Sequence, residues 1–512
     1  MDKKRIIIIG AGISGLTAGI YALDNNFEVQ IFEKHFIAGG QCTGWDRQNL
    51  FIDGCAHWIV GTNPTDPLNK VWKHIGAFDE NTKIHPTEYF KKFDVNGEIV
   101  TLYADLEKLE NELLRVSSED KRLIKSFIRG IKTYRKIKIP LRKPIDHMNL
   151  FELTAYGISM LPVVPYLLNY MHISSYDYAE KFKSPILKEV FHRLIEGEYN
   201  VHSLFYIMQA LSKDDAGMVE GGSRLLANNV KNTFLSKGGI LHLSKEVDHI
   251  LIENNIAKGV VLKNGDIINA DYVVSSTDAY HTMNVLLQGK YEDKYYDDRF
   301  KDLENNPLQQ CLQLSYKVSK DMNPYPKMMN IKINPIKIVD LTIDDISIRN
   351  HAFDKVLYPK DCVLTILLKV NDSVYEYFKS LDRKTYLSVK QEIGNKIKNE
   401  IQKYYHIDDK DISLIDVTTP LTYERYTNAY KGSYMSFITT KKVKGLMRKG
   451  VVKKLKNFVL SGQWIMPPGG LPIAVFTGKH AIERICKMER KPFVELDFAK
   501  ISKKELAYEV IL

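Results

Sequence analysis

Three glycines near the start of the chain have the spacing of a phosphate-binding turn. Gly10, Gly12 and Gly15 follow four consecutive isoleucines, Ile6–Ile9, which predict a buried parallel strand. Gly10 allows the tight turn, Gly12 lets a pyrophosphate approach the backbone, and Gly15 lets the next helix pack closely on the strand. The unpaired N–H groups at the start of that helix favour a bound anion. These residues predict a site for the pyrophosphate of a dinucleotide.

An acidic residue completes the pattern. A helix is predicted from Leu16 to about Leu23, and a second strand is predicted at Val29–Glu33. Glu33 lies 18 residues after Gly15, where a dinucleotide-binding fold needs an acid for a ribose hydroxyl. Glycine turn, helix, strand and acid together predict a dinucleotide-binding βαβ unit.

The composition argues against several classes of protein. The 512 residues allow two or more domains. The net charge of +10, with neither a zinc finger nor an aromatic-basic platform, does not indicate a nucleic-acid binder. The cysteines form no CxxC and predict neither a disulfide framework nor a metal site; they are Cys42, Cys55, Cys311, Cys362 and Cys486. Because the first strand begins at Arg5, we expect no signal peptide and a cytoplasmic location.

A second glycine pair narrows the choice of dinucleotide. Gly39 and Gly40 follow Glu33 by six and seven residues. NAD does not need this pair, whereas the long bridge of FAD must pass close to a second stretch of backbone. With these residues, the N-terminal segment resembles the FAD-binding segment of phytoene desaturases, carotenoid isomerases, retinol saturases and flavin monoamine oxidases.

Two later segments carry the same resemblance. Gly221–Arg224 precedes a predicted helix, and the strands around the turn Asn264-Gly265 follow it. In these flavoproteins the residue at the position of Val247 holds the adenine through its backbone. The segments 458–464 and 467–472 resemble the closing motif that covers the ribityl and isoalloxazine parts of FAD.

The resemblance implies a non-covalent FAD site. Its residues would be Gly10, Gly12, Ile13, Ser14, Gly15, Glu33, Lys34, Gly39, Gly40, Gln41, Val247, Gly462, Gln463, Gly470, Leu471 and Pro472. Gln41 stands where a basic residue is common, and Gln463 stands where an acid is usual. Neither Cys42 nor Cys55 has the setting of the cysteine that tethers FAD in some amine oxidases. A second Gly-x-Gly-x-x-Gly motif is absent, so we expect no dedicated NAD(P)H domain.

The predicted fold is α/β, with a Rossmann-type FAD-binding domain of the second glutathione reductase-like family. Its pieces are 1–80, 215–290 and 450–490. Residues 81–214 and 291–449 are predicted to form an α+β substrate domain built on an antiparallel sheet. Residues 491–512 would be a C-terminal extension.

Basic and apolar segments have two interpretations each. Residues 117–139 predict an amphipathic helix, with Ser117 and Asp120 as its cap. This helix and the basic stretch Lys441–Lys456 either pack on the protein or touch a membrane surface. The uncharged stretch Leu153–Tyr176 is interpreted as a buried helix or the wall of a substrate tunnel, with shallow membrane insertion as the alternative.

Two residues are candidates for chemistry. His57 lies in a segment that resembles one near the flavin, and it could act as an acid or base or only as a structural hydrogen-bonding group. Arg425 lies in a stretch that matches a family segment between substrate and flavin. It could anchor a carboxylate or polar end group, or it could be a surface arginine.

The leading functional hypothesis is an FAD-dependent oxidoreductase of the phytoene desaturase-like group. By this resemblance, it would desaturate, saturate or isomerise a long apolar molecule, a carotenoid, another isoprenoid or an unsaturated fatty acid, by hydride transfer at flavin N5. A flavin amine oxidase is one alternative. A non-redox FAD hydratase and a flavin-less lipid-binding protein on the same fold are the others.

Overall fold

The computed structural model describes residues 3–55, 58–195, 199–442 and 447–494. In these ranges the strands, in chain order, are β1 (Arg5–Ile9), β2 (Glu28–Phe32), β3 (Gly44–Arg47), β4 (Leu50–Asp53), β5 (Ile59–Val60), β6 (Ile84–His85), β7 (Tyr89–Val95), β8 (Glu98–Tyr103), β9 (Ala216–Val219), β10 (Ile240–His242), β11 (Val247–Glu253), β12 (Ile256–Leu262), β13 (Ile267–Asn269), β14 (Tyr272–Ser275), β15 (Gln310–Val318), β16 (Met328–Ile338), β17 (Leu341–Asn350), β18 (Cys362–Val370), β19 (Ile412–Thr418) and β20 (Phe458–Leu460).

The α-helices of the same ranges are α1 (Ile13–Asp24), α2 (Pro67–His74), α3 (Leu106–Val116), α4 (Lys121–Tyr134), α5 (Leu150–Met160), α6 (Val164–Tyr170), α7 (Ser175–Ala179), α8 (Pro185–His192), α9 (Val201–Ser212), α10 (Gly222–Ser236), α11 (Lys294–Lys301), α12 (Asp372–Ser380), α13 (Arg383–Tyr405), α14 (Pro420–Thr427) and α15 (Leu471–Met488).

A parallel sheet forms the nucleotide-binding half. Its strands lie in the order β10-β2-β1-β14-β20 and come from three distant parts of the chain. The isoleucines of β1 are buried on both faces of this sheet, as expected for a central parallel strand. A Cβ atom on Gly15 would lie 2.0 Å from the carbonyl oxygen of Gly10, so α1 packs on β1 with backbone against backbone.

A small antiparallel sheet covers the other side of this unit. β11, β12 and β13 pair in sequence, and Gly265 takes a positive φ of 92° in the turn between β12 and β13. This is the tight turn that Asn264-Gly265 predicts. Val260 and Leu262 pack with Ile7 of β1 in one hydrophobic cluster.

A mixed sheet forms the second half of the protein, and we call it the mixed sheet below. Its strands lie in the order β19-β15-β18-β17-β16-β7-β8, and only the β16–β7 pair is parallel. One face packs on α13 through Ile393, Ile397 and Ile401. The predicted α/β class with an antiparallel second sheet is confirmed, apart from this one parallel pair. The predicted domain bounds stay a prediction.

The amphipathic helix predicted at 117–139 is divided differently. Ser117 ends α3, and α4 begins only at Lys121, without a side-chain cap. The predicted cap is therefore wrong: the Asp120 carboxylate instead accepts the N–H groups of Lys183 at 2.8 Å and Ser184 at 3.0 Å, before α8. The apolar face of α4 is buried, so the packed interpretation of this helix is confirmed.

The uncharged stretch Leu153–Tyr176 is not a buried helix. Neither α5 nor α6 has a fully buried residue, and Phe151, Leu161 and Leu168 are 79%, 61% and 60% exposed. Within the described ranges, no single helix has both the length and the apolar composition to cross a bilayer, and only α5 with α6, bent by 67°, meets both conditions as a pair. The apolar composition of this stretch favours burial, but the tertiary structure leaves one side of the α5–α6 pair uncovered.

Two phenylalanines test this difference in packing. Phe127 of α4 is 0% exposed and contacts the rings of Phe191 and Phe205, whereas Phe151 of α5 faces outward. We expect Phe127→Ala to lower the free energy of unfolding by about 3–5 kcal/mol. Phe151→Ala should change it by less than about 0.5 kcal/mol. Urea unfolding followed by circular dichroism measures both values, and equal losses would contradict this packing.

Candidate functional site

A large cavity lies at the carboxyl ends of the parallel strands. Its volume is about 1610 Å³, and its walls include the ends of β1 and β2, the closing segment 462–474 and one face of the mixed sheet. Pockets for one drug-sized ligand measure about 300–1,000 Å³. The cavity therefore has room for a dinucleotide and a second molecule, at the edge of a parallel sheet where nucleotides bind in such folds.

Two glycine turns form one end of this cavity. The Gly10 N–H donates to the Phe32 carbonyl at 2.8 Å, and the Gly39 N–H donates to the Ala11 carbonyl at 2.8 Å. A Cβ atom on Gly40 would lie 3.1 Å from the Cα of Gly12. The two turns thus present bare backbone to the cavity, as the close approach of a pyrophosphate requires.

Two helices that begin at the cavity follow a glycine and lack a side-chain cap. They are α1, preceded by Gly12, and α15, preceded by Gly470, whereas α2, α3 and α13 are capped by aspartates. The Ser14 hydroxyl, in the first turn of α1, is buried without a hydrogen-bond partner in the described part of the chain. Unpaired N–H groups and this hydroxyl fit a phosphate or another anion.

Glu33 is held in place by backbone groups. Its Oε2 accepts the Ala11 N–H at 2.7 Å, and its Oε1 accepts the His35 N–H at 2.8 Å. Burial raises the pKa of the Glu33 carboxyl, and these two N–H groups oppose that shift. Each carboxylate oxygen has a second acceptor position. A ribose hydroxyl can therefore still donate to Glu33.

The two glutamines at unusual positions contact each other. Gln463 Nε2 donates to Gln41 Oε1 at 3.1 Å, and Gln41 Nε2 donates to the Ser433 carbonyl at 2.8 Å. The Gly470 N–H donates to Gln463 Oε1 at 3.3 Å. This pair of amides links the second glycine turn to the closing segment without placing a charge between them.

The remaining predicted cofactor residues also lie along this cavity. Lys34 Nζ donates to the Arg425 carbonyl at 2.9 Å and to the Asn428 side chain. Val247, Gly462, Leu471 and Pro472 also line the cavity wall. The structure brings these residues together, while their individual roles stay predictions.

Two thiols lie beside the same cavity. Cys42 and Cys55 both line it. A hydrogen bond with Cys55, together with burial, raises the pKa of the Cys42 thiol well above its ordinary value. Cys42 is therefore protonated at neutral pH and is a poor nucleophile.

The other part of the cavity is a long pocket. Its apolar wall includes Tyr156, Met160, Leu167 and Met171 of the α5–α6 region. These side chains of 153–176 line the cavity, and their role as the wall of a substrate tunnel stays a prediction. The opposite wall is the mixed sheet, which presents polar side chains: Gln309, Gln313, Ser347, Arg349, Thr365 and Lys369.

Asp278 ties the parallel sheet to the segment that carries Tyr434. Its carboxylate accepts the N–H groups of Tyr280 at 2.7 Å and Tyr430 at 3.1 Å. Burial raises the pKa of Asp278 to about 7, and these N–H groups oppose the shift. The carboxylate fixes the loop that follows β14 against the cavity wall.

The two candidates for chemistry have different outcomes. His57 lies outside the described residues. Arg425 is exposed, and its carbonyl accepts from Lys34, so it lies at the nucleotide end of the cavity. Sequence analysis did not single out Arg349, one of several arginines on the cavity wall. Side chains alternate between the two faces of β17, and this alternation was the available signal. The sequence does not show which face meets the cavity. Among the described residues, no group of three or more His, Cys, Asp or Glu side chains could hold a metal ion.

Comparisons with known proteins agree with this geometry. Residues 8–75 match the NAD(P)-binding Rossmann-like domain family. The chain is 22% identical to the 4,4'-diapophytoene desaturase (4,4'-diapolycopene-forming) of Methylomonas sp, covering 99% of this chain and 100% of that protein. It is 28% identical to the phytoene desaturase (neurosporene-forming) of Rhodobacter capsulatus, over 58% of this chain and 56% of that protein. It is 21% identical to the 4,4'-diaponeurosporene oxygenase of Staphylococcus haemolyticus, over 96% and 99% of the two chains.

In sequence the chain is similar to proteins named as phytoene and diapophytoene desaturases. Solved structures with the same fold include an oxidoreductase from Methanosarcina mazei, with a TM-score of 0.60, 15% identity and coverage of 94% and 100%. They also include the cyclohexylamine oxidase of Brevibacterium oxydans, with a TM-score of 0.58, 13% identity and coverage of 96% and 100%. At these identities the likeness shows the fold alone.

Glu33 and Glu28 offer a matched test of the nucleotide end, because Glu28 begins β2, Glu33 directly follows that strand, and only Glu33 lines the cavity. In Glu33→Gln the amide group would face one of the two N–H donors that the carboxylate now accepts. With FAD as the probe, we expect the dissociation constant to rise about 10- to 100-fold, since hydrogen bonds to charged groups contribute about 1.5–3 kcal/mol. Glu28→Gln should change it less than about twofold. Equilibrium dialysis measures both, and an unchanged Glu33→Gln variant would contradict the assignment.

Proposed function

We propose that this protein binds FAD without a covalent bond and acts as an oxidoreductase on carbon–carbon bonds of a long apolar molecule. The observation that carries the proposal is one continuous cavity, in which a dinucleotide-shaped end with bare glycine turns opens into a long pocket. The relatives named as diapophytoene and phytoene desaturases support a carotenoid or another isoprenoid as the substrate class. Desaturation, saturation and isomerisation are the candidate reactions.

FAD fits the residues of the cavity. The Ser14 hydroxyl and the starts of α1 and α15 suit a pyrophosphate and the polar edge of a flavin, and Glu33 suits a ribose. Gly10–Gly15, Glu33, Lys34, Gly39–Gln41, Val247, Gly462–Gln463 and Gly470–Pro472 would hold it. When bound, FAD supplies hydride exchange with the substrate.

The chain's own contribution is placement and exclusion of water. The walls of the long pocket include Tyr156, Met160 and Leu167 on one side and the mixed sheet on the other, so an extended apolar molecule can lie between them. The start of α15 stabilises negative charge at the cavity. The amide pair Gln41–Gln463 keeps the two walls of the cofactor end together without a charge.

An amine oxidase is not favoured by the aromatic side chains. Trp464 packs against Phe300 and Phe437 in a buried cluster, with ring centroids at 5.5 and 5.2 Å. Tyr434 accepts a hydrogen bond from Gln309 Nε2 at 2.5 Å. The packing of the Trp464 ring in this cluster favours a structural role for it over a role as one wall of an aromatic cage.

The visible spectrum of the purified protein tests the proposal first. We expect bands near ~370 and ~450 nm that acid precipitation releases into the supernatant, the sign of non-covalent flavin. Under anaerobic conditions, 4,4'-diapophytoene or 15-cis-phytoene should bleach the oxidised flavin band and gain a conjugated double bond. Putrescine and cyclohexylamine should leave the band unchanged.

The other outcomes distinguish the alternatives. Bleaching by an amine would favour an amine oxidase. Hydration of oleate that needs FAD but leaves its band unchanged would favour the non-redox hydratase. A colourless protein that takes up no added FAD but binds polyenes would favour the lipid-binding protein and overturn the proposal.

A membrane surface is the proposed source of the substrate. The exposed side of α5 and α6 carries Leu150, Phe151, Leu161 and Leu168, while their inner side lines the pocket. The segment beside α5 is basic: Tyr156 donates to the Lys138 carbonyl, and Lys143 pairs with Glu152. Exposed apolar side chains next to basic ones suit an anionic bilayer surface. In the second basic stretch, the described residues 441–442 and 447–456 form turns and irregular backbone, not a helix.

The five cysteines are free thiols, which suits a reducing compartment. The cytoplasmic location therefore stays part of this proposal, with the protein held at the inner membrane surface by the α5–α6 pair.

Vesicle sedimentation tests the membrane contact. Replacing Leu150, Phe151, Leu161 and Leu168 together by serine should lower the fraction bound to vesicles of phosphatidylcholine and phosphatidylglycerol at least about tenfold, because apolar area is no longer buried in lipid. A control with Leu225, Leu235, Val356 and Leu387, all exposed elsewhere, replaced by serine should bind as the original protein does. Equal loss in both variants, or no binding by the original protein, would contradict the proposal.

A further inference from the structure

We infer that the Arg349 guanidinium is a binding site for a carboxylate at one end of an otherwise apolar substrate. The inference deepens the proposed function and rests on its lipophilic substrate. It is carried by the position of one arginine on the wall of the long pocket and by the absence of any partner for it in the described residues.

The mixed sheet fixes where Arg349 points. On β17 it lies opposite Met328 of β16 and Thr365 of β18. The neighbouring residues Ile346 and Ile348 are buried in the hydrophobic cluster on the α13 face of the sheet. Side chains alternate along a strand, so Arg349 lies on the other face, with Ser347, and lines the cavity.

The guanidinium has no acceptor. Arg349 is half-buried, and its Nε is buried without a hydrogen-bond partner. Among residues 3–55, 58–195, 199–442 and 447–494, the structure records neither a hydrogen bond nor an ion pair from its other nitrogens. Arg193, which lines the same cavity, instead donates to Asn330 Oδ1 at 3.0 Å and pairs with Glu189 at 3.0 Å.

The carboxylate whose charge acts on Arg349 is that of Asp53, and it already accepts other hydrogen bonds. Asp53 accepts the Ser223 N–H at 2.8 Å, the Ser223 hydroxyl at 2.6 Å and the Cys55 N–H at 3.0 Å. It acts on Arg349 only through its charge, at longer range. Burial lowers the pKa of Arg349 to about 9, and Asp53, Cys55 and Tyr434 oppose this shift, so the guanidinium stays charged at neutral pH.

A carboxylate suits this position better than a hydrocarbon. A buried charge without a hydrogen-bond partner is costly, and an alkyl or polyene chain offers it no acceptor. A carboxylate accepts two parallel N–H bonds from a guanidinium. Anion binding by the cofactor is provided for elsewhere, at Ser14 and the first turn of α1. The guanidinium therefore adds long apolar acids, with either an acyl or a polyene chain, to the hydrocarbons as candidate substrates.

The test compares acids with alcohols of the same chain. Oleate and oleyl alcohol probe the acyl class, and all-trans-retinoate and all-trans-retinol probe the polyene class. Dissociation constants are measured by quenching of tryptophan fluorescence in the full-length protein with its cofactor content recorded. We expect the original protein to bind at least one acid more tightly than its alcohol.

Three variants identify the group responsible. Arg349→Met should weaken binding of that acid about 10- to 100-fold, as the loss of a buried charged partner does, and change binding of the alcohol less than about threefold. Arg349→Lys should restore part of the affinity, because it keeps the charge but not the paired donors. Arg299→Met is the matched control: the Arg299 Nε is also buried without an acceptor, but Arg299 does not line the cavity, so both affinities should be unchanged.

Other results would overturn the inference. These are equal affinities for acid and alcohol in the original protein, equal losses for both probes in Arg349→Met, or a fall in FAD affinity in Arg349→Met while acid binding is unchanged. The last result would assign the guanidinium to the cofactor. A colourless protein that still binds an acid through Arg349 would overturn the proposed oxidoreductase and leave this inference standing.

Discussion

The close contact between α1 and β1 is the constraint on which the site depends. No side chain fits at Gly15, because its Cβ would lie 2.0 Å from the Gly10 carbonyl oxygen. The helix therefore starts directly at the end of the strand, and its unpaired N–H groups face the cavity. The same turn brings the Ala11 N–H to the Glu33 carboxylate and the Ala11 carbonyl to Gly39. One backbone contact thus positions both glycine turns and the acid.

Charge is distributed unevenly along the cavity. At the cofactor end, the amides of Gln41 and Gln463 satisfy each other, and helix starts provide the attraction for an anion. On the mixed sheet, Arg349 keeps a full charge without an acceptor in the described ranges. Both arrangements act in surroundings of low polarity, where an unpaired charge matters more than in water. Arg349 therefore differs from Arg193 on the same cavity wall, whose guanidinium has acceptors within the protein.

Packing explains why α4 and the α5–α6 pair, which are both apolar on one side, differ in burial. The apolar face of α4 meets α9 and α8, and Phe127 contacts Phe191 and Phe205 there. The α5–α6 pair, which is more apolar in composition, lies over the pocket with only its inner side covered. Apolar composition alone states how much area could be buried. Whether it is buried depends on what lies opposite.

The sequence by itself determined the local parts of this protein. Glycine spacing, the isoleucine strand and Glu33 lie within some thirty residues, and short-range geometry links them directly. The Asn264-Gly265 turn is equally local. The tertiary structure alone decided the Gln41–Gln463 contact, which joins residues 422 positions apart, and the exposure of α5 and α6. It also decided the inward face of β17 and hence Arg349, because a strand's alternation shows two faces but not which one meets the cavity.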